Sequence, residues 1–414
     1  MQSALRTAAA GLIGNVLEWF DYAVYGYFTT EIAKTFTPST MAQSERELIA
    51  LAVFFIGFAA RPIGGLVLGV VGDRIGRRAL MTLSIALMGG ATLLIGLLPG
   101  YSTIGIAAPV LLTLCRLLQG FSLGGEFTGS MVYTTELASP LMRGIVASST
   151  AAGTTLGFIL GSLTAWIVNR SLGAEAAAEW GWRIPFIGSV VFCVLGWFLR
   201  RGIVEPEVSA KAIAERAPIL GSLVADWKPI AQTFGIVALT NAAYYLAFTF
   251  AVERRKAEDT AFQAFNTISL VVVLFAKLFG GWLSDRVGRR RLMIAITVMT
   301  MVAVYTSLRL MLFGGPTEFF IGQLLLGVPL GMALGLQGAM VVEIFPLRTR
   351  VTSMSFAYSI TLALAGGLAP LISKWLIDNY DPPTLPAFYV MIYGLIGLPI
   401  MLAMRETNDR ALDE

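Results

Sequence analysis

The chain has 414 residues, of which 56% are hydrophobic and 14% charged, with a formal net charge of +4 and no histidine. A mean hydropathy of +0.74 excludes a chain that faces water over most of its surface and identifies an integral membrane protein. The basic balance does not indicate nucleic acid, because the lysines and arginines sit in short clusters between apolar blocks, as at an anionic membrane surface.

Apolar blocks of about 20 residues, each able to cross the hydrocarbon as a helix, recur from end to end. They predict spans beginning near Ala8, Leu48, Leu80, Ile106, Ile145 and Trp182, and then near Pro229, Ala261, Leu292, Glu318, Thr349 and Leu385. The expected architecture is all-α, with twelve transmembrane helices in two pseudo-symmetric six-helix bundles. Residues 1–204 form the first bundle, 205–228 a cytoplasmic linker and 229–414 the second bundle. Segments that would be cytoplasmic if the N-terminus is inside hold the larger share of the arginines and lysines, so both termini are expected in the cytoplasm. The loop "VERRKAEDT", Val252–Thr260, opposes this trend and is read as an exposed outer loop. Cys115 and Cys193 lie in different apolar blocks without metal-ligand spacing, so no metal or cofactor is expected.

The first block contains "GNVLEWFDYAVYG", in which Asn15, Glu18, Tyr22 and Tyr25 fall on one helical face with Asp21 beside them. Polar groups on a spanning helix line a cavity or meet a partner helix. Two acids close together in low dielectric compete for charge while a nearby arginine favours it, so withdrawing the arginine would trigger proton uptake. Without histidine, carboxylates must exchange the protons: Asp21 first, then Glu18, then Glu126. The cations inside spans are Arg61, Arg116 and Lys277, which suit a carboxylate substrate. Lys277 could equally snorkel to the inner end of its helix or meet Asp285. Asn241, Tyr244, Tyr245, Gln337 and Tyr358 add polar ends in the second half, and Gly153, Gly157 and Gly161 give the fifth span a face for close helix contact.

Two internal echoes mark the halves. "GVVGDRIGRR" from Gly69 and "GWLSDRVGRRR" from Gly281 each lie between the second and third spans of their half. Glu136 and Arg143 in "ELASPLMR" repeat as Glu343 and Arg350 in "EIFPLRTR". Charged latches at Asp73, Arg74, Arg77, Arg78, Asp285, Arg286 and Arg289, with Gly69 allowing close helix approach, can hold one conformation and release another. Topology anchoring needs only scattered arginines and does not explain the repeated glycine and aspartate.

With these residues the sequence resembles the major facilitator superfamily, through Gly69, Asp73, Arg74, Gly76, Arg77 and Arg78. More narrowly it is similar to the metabolite:H⁺ symporter branch, through "GNVLEWFDYAVY", "ARPIGG" at Ala60, "PGYSTIG" at Pro99, "RLLQGFSLGGE" at Arg116, "EWGWRIPF" at Glu179 and "GGLAPLI" at Gly366. The resemblance implies proton-driven import, by alternating access in a bacterial inner membrane, of a metabolite such as citrate, α-ketoglutarate, shikimate, proline or glycine betaine. An organic acid is the expected substrate and a zwitterionic osmolyte the alternative. By resemblance to sugar porters, Asp21 is the expected ion partner of Arg116; Glu126, ten residues further along the same helix, is expected to pair locally near Arg61. The expected partners are the substrate, protons and the bilayer, with the chain acting as a monomer and not as an enzyme. No nucleotide-binding motif is present, which disfavours an ATP-driven pump. A non-transporting polytopic receptor is a less favoured reading.

Overall fold

The computed structural model describes residues 15–16, 18–75, 77–200, 219–256, 258–347 and 349–408. Among these the secondary structure is helical throughout, as a lipid-spanning chain requires when no water can satisfy its backbone. The first bundle comprises α1 (15–16 and 18–36, broken at Phe28), α2 (Gln43–Ala59 continued by Arg61–Ile75), α3 (Arg77–Leu97), α4 (Ala107–Ser122 continued by Glu126–Leu137), α5 (Arg143–Ala176) and α6 (Arg183–Arg200). The second comprises α7 (Trp227–Tyr245, a π-turn at Leu246–Phe250, then Ala251–Arg255), α8 (Ala261–Val287), α9 (Arg289–Phe313), α10 (Pro316–Ile344), α11 (Arg350–Thr361, a π-turn at Leu362–Gly367, then Ala369–Asn379) and α12 (Leu385–Ala403). Nine helices among the described residues are long and apolar enough to cross a membrane; α1, α3 and α6 complete the twelve spans.

Sequence chemistry explains the breaks. Pro62 has no N–H to continue the helix, so α2 bends at Ala60 and Arg61. The π-turns of α7 and α11 interrupt regular helix beside the central cavity, where such turns commonly occur.

Glycines set the packing of each half. A Cβ on Gly120 would lie 1.8 Å from the Gly57 carbonyl oxygen, one on Gly64 2.0 Å from that of Phe121, and one on Gly124 2.0 Å from the Gly65 nitrogen. The "ARPIGG" and "QGFSLGG" stretches are thus the two sides of one α2–α4 seam. The second half repeats it between α8 and α10, where a Cβ on Gly335 would lie 1.9 Å from the Lys277 carbonyl oxygen. Gly157 and Gly161 bring α5 against α1, with would-be Cβ distances of 2.6 Å to the Val16 carbonyl oxygen and 2.7 Å to the Ala23 Cβ.

Candidate functional site

Between the halves lies a cavity of about 30 Å³, room for about one water. Its first-half wall is Trp19, Phe127, Met131, Ala151, Thr154 and Phe158; its second-half wall is Asn241, Tyr244, Tyr245, Lys277, Leu334, Gln337 and Tyr358. All the second-half residues expected at a substrate site therefore share one wall. Gln337 donates to the Tyr358 hydroxyl at 3.0 Å and accepts from Thr240 at 3.1 Å, which fixes its amide, while Asn241 donates to the Val237 carbonyl at 2.9 Å.

Lys277 neither snorkels nor meets Asp285. It is buried, with Nζ donating to Thr154 Oγ1 at 2.8 Å and to the Ala151 carbonyl at 3.1 Å, and lies 5.8 Å from the Tyr244 ring centre. No carboxylate lies within ion-pair distance of it among the described residues.

Glu18 and Asp21 of α1 occupy two different environments. Glu18 pairs with Arg61 at 2.9 Å, and Arg61 also lies over the rings of Trp19, Tyr22 and Phe58 at 5.2, 4.5 and 5.0 Å. Asp21 does not pair directly with Arg116 as the resemblance implied. It accepts from the Thr92 hydroxyl; Gln119 donates to Thr92 at 2.7 Å, and Arg116 donates to Gln119 at 2.8 Å. The Arg116 guanidinium lies between the rings of Tyr22 and Tyr25, at 4.5 and 4.3 Å, which holds it one relay away from Asp21. Gly57 makes this possible, since a Cβ there would meet Arg116 Nη2 and the Tyr22 hydroxyl, both at 3.2 Å. The remaining stripe residues meet neighbouring helices: Asn15 donates to Ser130 at 3.2 Å and Tyr25 to the Ala50 carbonyl at 3.0 Å. Arg61 is taken by Glu18; the Glu126 side chain lies outside the described residues.

Both ends of the central cavity are closed by contacts between the halves. At the end bearing the second "DRVGRR" repeat, Asp285 accepts from the backbone N–H groups of Gly144 and Ile145 at 2.7 and 3.0 Å, capping the positive end of α5 with a carboxylate from α8. Arg289 ties Asp285 at 3.0 Å to Glu343 at 2.9 Å, and Arg350 pairs with Glu136 at 2.8 Å. Gly144 and Gly281 permit this approach: a Cβ on either would lie within 2.5 Å of the other's carbonyl oxygen. Arg143 is buried at the start of α5, whereas Arg286 stacks on Trp282 at 3.9 Å. Gly69 and Asp73 fall in the last turns of α2 and Arg77 and Arg78 in the first turn of α3, but the side chains of Asp73, Arg74, Arg77 and Arg78 lie outside those described, as does Gly76.

The opposite end corrects the reading of "VERRKAEDT" as an exposed loop. Its first residues continue α7, and Arg255 and Lys256 turn inward while Arg254 stays exposed. Arg255 donates to the carbonyls of Met311 and Gly314 at 3.1 and 2.8 Å. Lys256 pairs across the halves with Glu31 at 2.7 Å and within α7 with Glu253 at 2.9 Å, while Glu253 accepts from the Thr30 N–H at 2.8 Å. Lys374 pairs with Glu47 at 3.0 Å. Beneath, Asn266 donates to Tyr27 at 3.0 Å and Ser162 at 2.8 Å, closing α8 on α1 and α5. Glu31, Glu47, Glu253, Arg255, Lys256 and Lys374 border a chamber of about 950 Å³ at that end.

Sequence reasoning missed Trp19, Phe127, Met131 and Phe158 on the cavity wall, because an apolar ring in a membrane helix carries no mark of which neighbour it faces. It also missed Thr92, although Gln119 lay inside a quoted motif. It missed Glu31 as well, and Glu253 lay only within the quoted "VERRKAEDT" loop.

Comparison with known proteins places this arrangement. Residues 7–205 match the sugar (and other) transporter family and residues 230–412 the major facilitator superfamily. The proline/betaine transporter of Salmonella typhimurium is 31% identical over 98% of this chain and 84% of its own length. The citrate–proton symporter of Salmonella typhi is 35% identical over 93% of this chain and 90% of its own. The xylose transporter from E. coli, in a partially occluded inward-open form, superposes with a TM-score of 0.75 at 17% identity over 100% of both chains, a likeness of fold alone. Coverage of nearly the whole chain at these identities, on a duplicated twelve-helix fold, makes this chain a multi-pass membrane transporter of the major facilitator superfamily, in its metabolite:H⁺ symporter family.

Proposed function

We propose that the protein couples proton entry to import of a small carboxylate-bearing metabolite, bound in the central cavity with its carboxylate on Lys277. The observation that carries this reading is the buried Lys277 ammonium, which lines the cavity with a hydroxyl and a carbonyl as its hydrogen-bond partners and no carboxylate within ion-pair distance among the described residues. A carboxylate entering there gains a charge-assisted bond that no described group of the protein already supplies. The aromatic walls from Trp19, Phe158 and Tyr244 suit an alkylated ammonium at the other end of the molecule. A compact zwitterion such as betaine or proline therefore fits better than a tricarboxylate, which needs several cations where Lys277 is the one cation among the described lining residues.

A citrate-like substrate is the second reading, favoured by the 35% identity to a citrate–proton symporter. It would require Arg61 to supply further charge.

Asp21 is the proton site in this proposal. It is buried, has no cation within ion-pair distance among the described residues, and can exist as acid or anion without breaking a salt bridge. Its relay through Thr92 and Gln119 to Arg116 joins α1, α3 and α4, so a change of protonation reaches three helices at once. The positive-inside bias supports assigning the "DRVGRR" end to the cytoplasm, so that the two closed ends open in alternation.

Proteoliposomes test the reading. Labelled glycine betaine, proline and citrate are offered with an imposed proton gradient and, separately, under counterflow. Wild type should accumulate a zwitterion; Lys277→Met should lose both activities; Asp21→Asn should keep counterflow and lose gradient-driven accumulation. Accumulation of citrate alone would overturn the substrate reading, and full accumulation by Asp21→Asn the proton site.

A further inference from the structure

We propose that Thr154 is the positioning residue that lets the carrier close without cargo: its hydroxyl takes the place of the substrate's carboxylate on Lys277 while the halves reorient substrate-free. This role rests on the assignment of the carboxylate to Lys277 above and adds how the return half of the cycle is made.

Lys277 belongs to α8 in the second half, and both its hydrogen-bond partners belong to α5 in the first: Thr154 Oγ1 at 2.8 Å and the Ala151 carbonyl at 3.1 Å. The Thr154 hydroxyl donates its own hydrogen to the Ala151 carbonyl at 2.7 Å. Its oxygen is therefore left to accept, which is what an ammonium, with donors only, requires. All three residues are buried, and all three line the central cavity. The bond is one rung of a ladder that joins α5 to α8 along their length. Asn169 donates to Gln263 at 3.2 Å, Ser162 and Thr267 share a hydrogen bond at 2.8 Å, and Asp285 accepts from the Gly144 and Ile145 N–H groups at 2.7 and 3.0 Å. Of these rungs only the one made by Lys277 lies on the wall of the central cavity, where a substrate can replace it.

A carrier that accumulates its substrate must close once per cycle with no substrate inside. Closing removes water, and a buried ammonium without partners is costly. A loaded carrier meets that cost with the carboxylate of its cargo. An unloaded one can meet it only with groups from across the interface, and Thr154 and Ala151 are those groups. The volume agrees: a cavity of about 30 Å³ has room for about one water and is too small for proline or betaine, so closure on Thr154 is the substrate-free closure. When either end is open, water can hydrate the ammonium instead. Loss of the Thr154 hydroxyl therefore penalises the substrate-free closed state and spares the open and loaded states. The return step slows, while coupling to protons is untouched.

The test uses the full-length protein in proteoliposomes with labelled glycine betaine, or labelled citrate if wild type accumulates that instead. Thr154→Val keeps the shape of the side chain and removes the hydroxyl. Its initial rate of gradient-driven net uptake should fall roughly tenfold or more, the effect of one hydrogen bond to a charged group. Counterflow, in which the carrier returns loaded, should stay at the wild-type rate. The final accumulation level should also match wild type, which separates this variant from Asp21→Asn. Thr154→Ser, which keeps the hydroxyl, should restore the rate. Counterflow slowed as much as net uptake, net uptake not slowed, or a Thr154→Ser variant as slow as Thr154→Val overturns this role and leaves the carboxylate assignment standing. Wild-type counterflow by Lys277→Met, or no transport of either substrate by wild type, overturns both. Should Thr154→Val not fold, Thr154→Ala carries the same expectations against Thr154→Ser.

Discussion

Replacing Lys256 with methionine should open the end of the molecule that its ammonium holds shut. Lys256 Nζ lies 2.7 Å from Glu31 of α1, 2.9 Å from Glu253 of α7 and 2.6 Å from the Tyr27 carbonyl oxygen, and the three side chains are 7%, 9% and 12% exposed. Removing one partner from a buried ion pair costs about 3–5 kcal/mol, which we reduce to about 2–3 because the adjoining chamber can hydrate the orphaned carboxylates. The Glu31 and Tyr27 contacts join the halves, so an open end has already lost them, and that part of the penalty falls on the closed state alone. At about 1.4 kcal/mol per factor of ten, the open-to-closed ratio should rise roughly 30- to 150-fold. Double electron–electron resonance between spin labels at Thr40→Cys and Phe313→Cys, with Cys115 and Cys193 replaced by alanine, reads that ratio as a longer-distance population. An unchanged distance distribution would refute the lock. The pH dependence has a definite sign. Burial alone would lower the proton affinity of Lys256, but Glu253 and Glu31 outweigh it and hold the ammonium above the ordinary lysine range. Its contribution is therefore complete below about pH 10.4 and is lost only as pH climbs through the raised value, so the wild-type closed population should not fall on its account from neutral to about pH 9.

Two further outcomes follow from packing and capping. Asp285→Asn removes the charge that serves the Gly144 and Ile145 N–H groups and Arg289; with charge-assisted bonds worth about 1.5–3 kcal/mol, thiol labelling of a buried Ser284→Cys at that end should quicken by roughly tenfold or more, and equal rates would contradict the latch. Gly124→Ala places a methyl 2.0 Å from the Gly65 nitrogen and 2.3 Å from the Arg61 carbonyl oxygen, neither of which can rotate away, so thermal unfolding in detergent should show a loss of about 1–3 kcal/mol or more, whereas Gly129→Ala, with nothing within 4 Å, should be near neutral.

Much of the architecture was legible in the residues. Only helices can bury their own backbone bonds in lipid, so apolar block length announced the spans, and the paired "DRIGRR" and "DRVGRRR" loops announced the duplication. Polar residues inside those blocks were too costly to be incidental, and Asn241, Tyr244, Tyr245, Lys277, Gln337 and Tyr358 do share a cavity wall. The glycine motifs were visible as letters, but their meaning as one α2–α4 seam required both helices in place.

Helical spacing put Glu18 and Asp21 on α1, yet their partners come from α2, α3 and α4, and no periodicity along one helix specifies which neighbour arrives at which height. Tertiary structure decided that Glu18 takes Arg61 while Asp21 reaches Arg116 only through Thr92 and Gln119, because Tyr22 and Tyr25 clasp the Arg116 guanidinium. It likewise turned Arg255 and Lys256 inward from what read as an outer loop. A charge in sequence announces only that it needs a partner or water; which of the two it finds depends on distances of a few ångströms between helices remote in the chain.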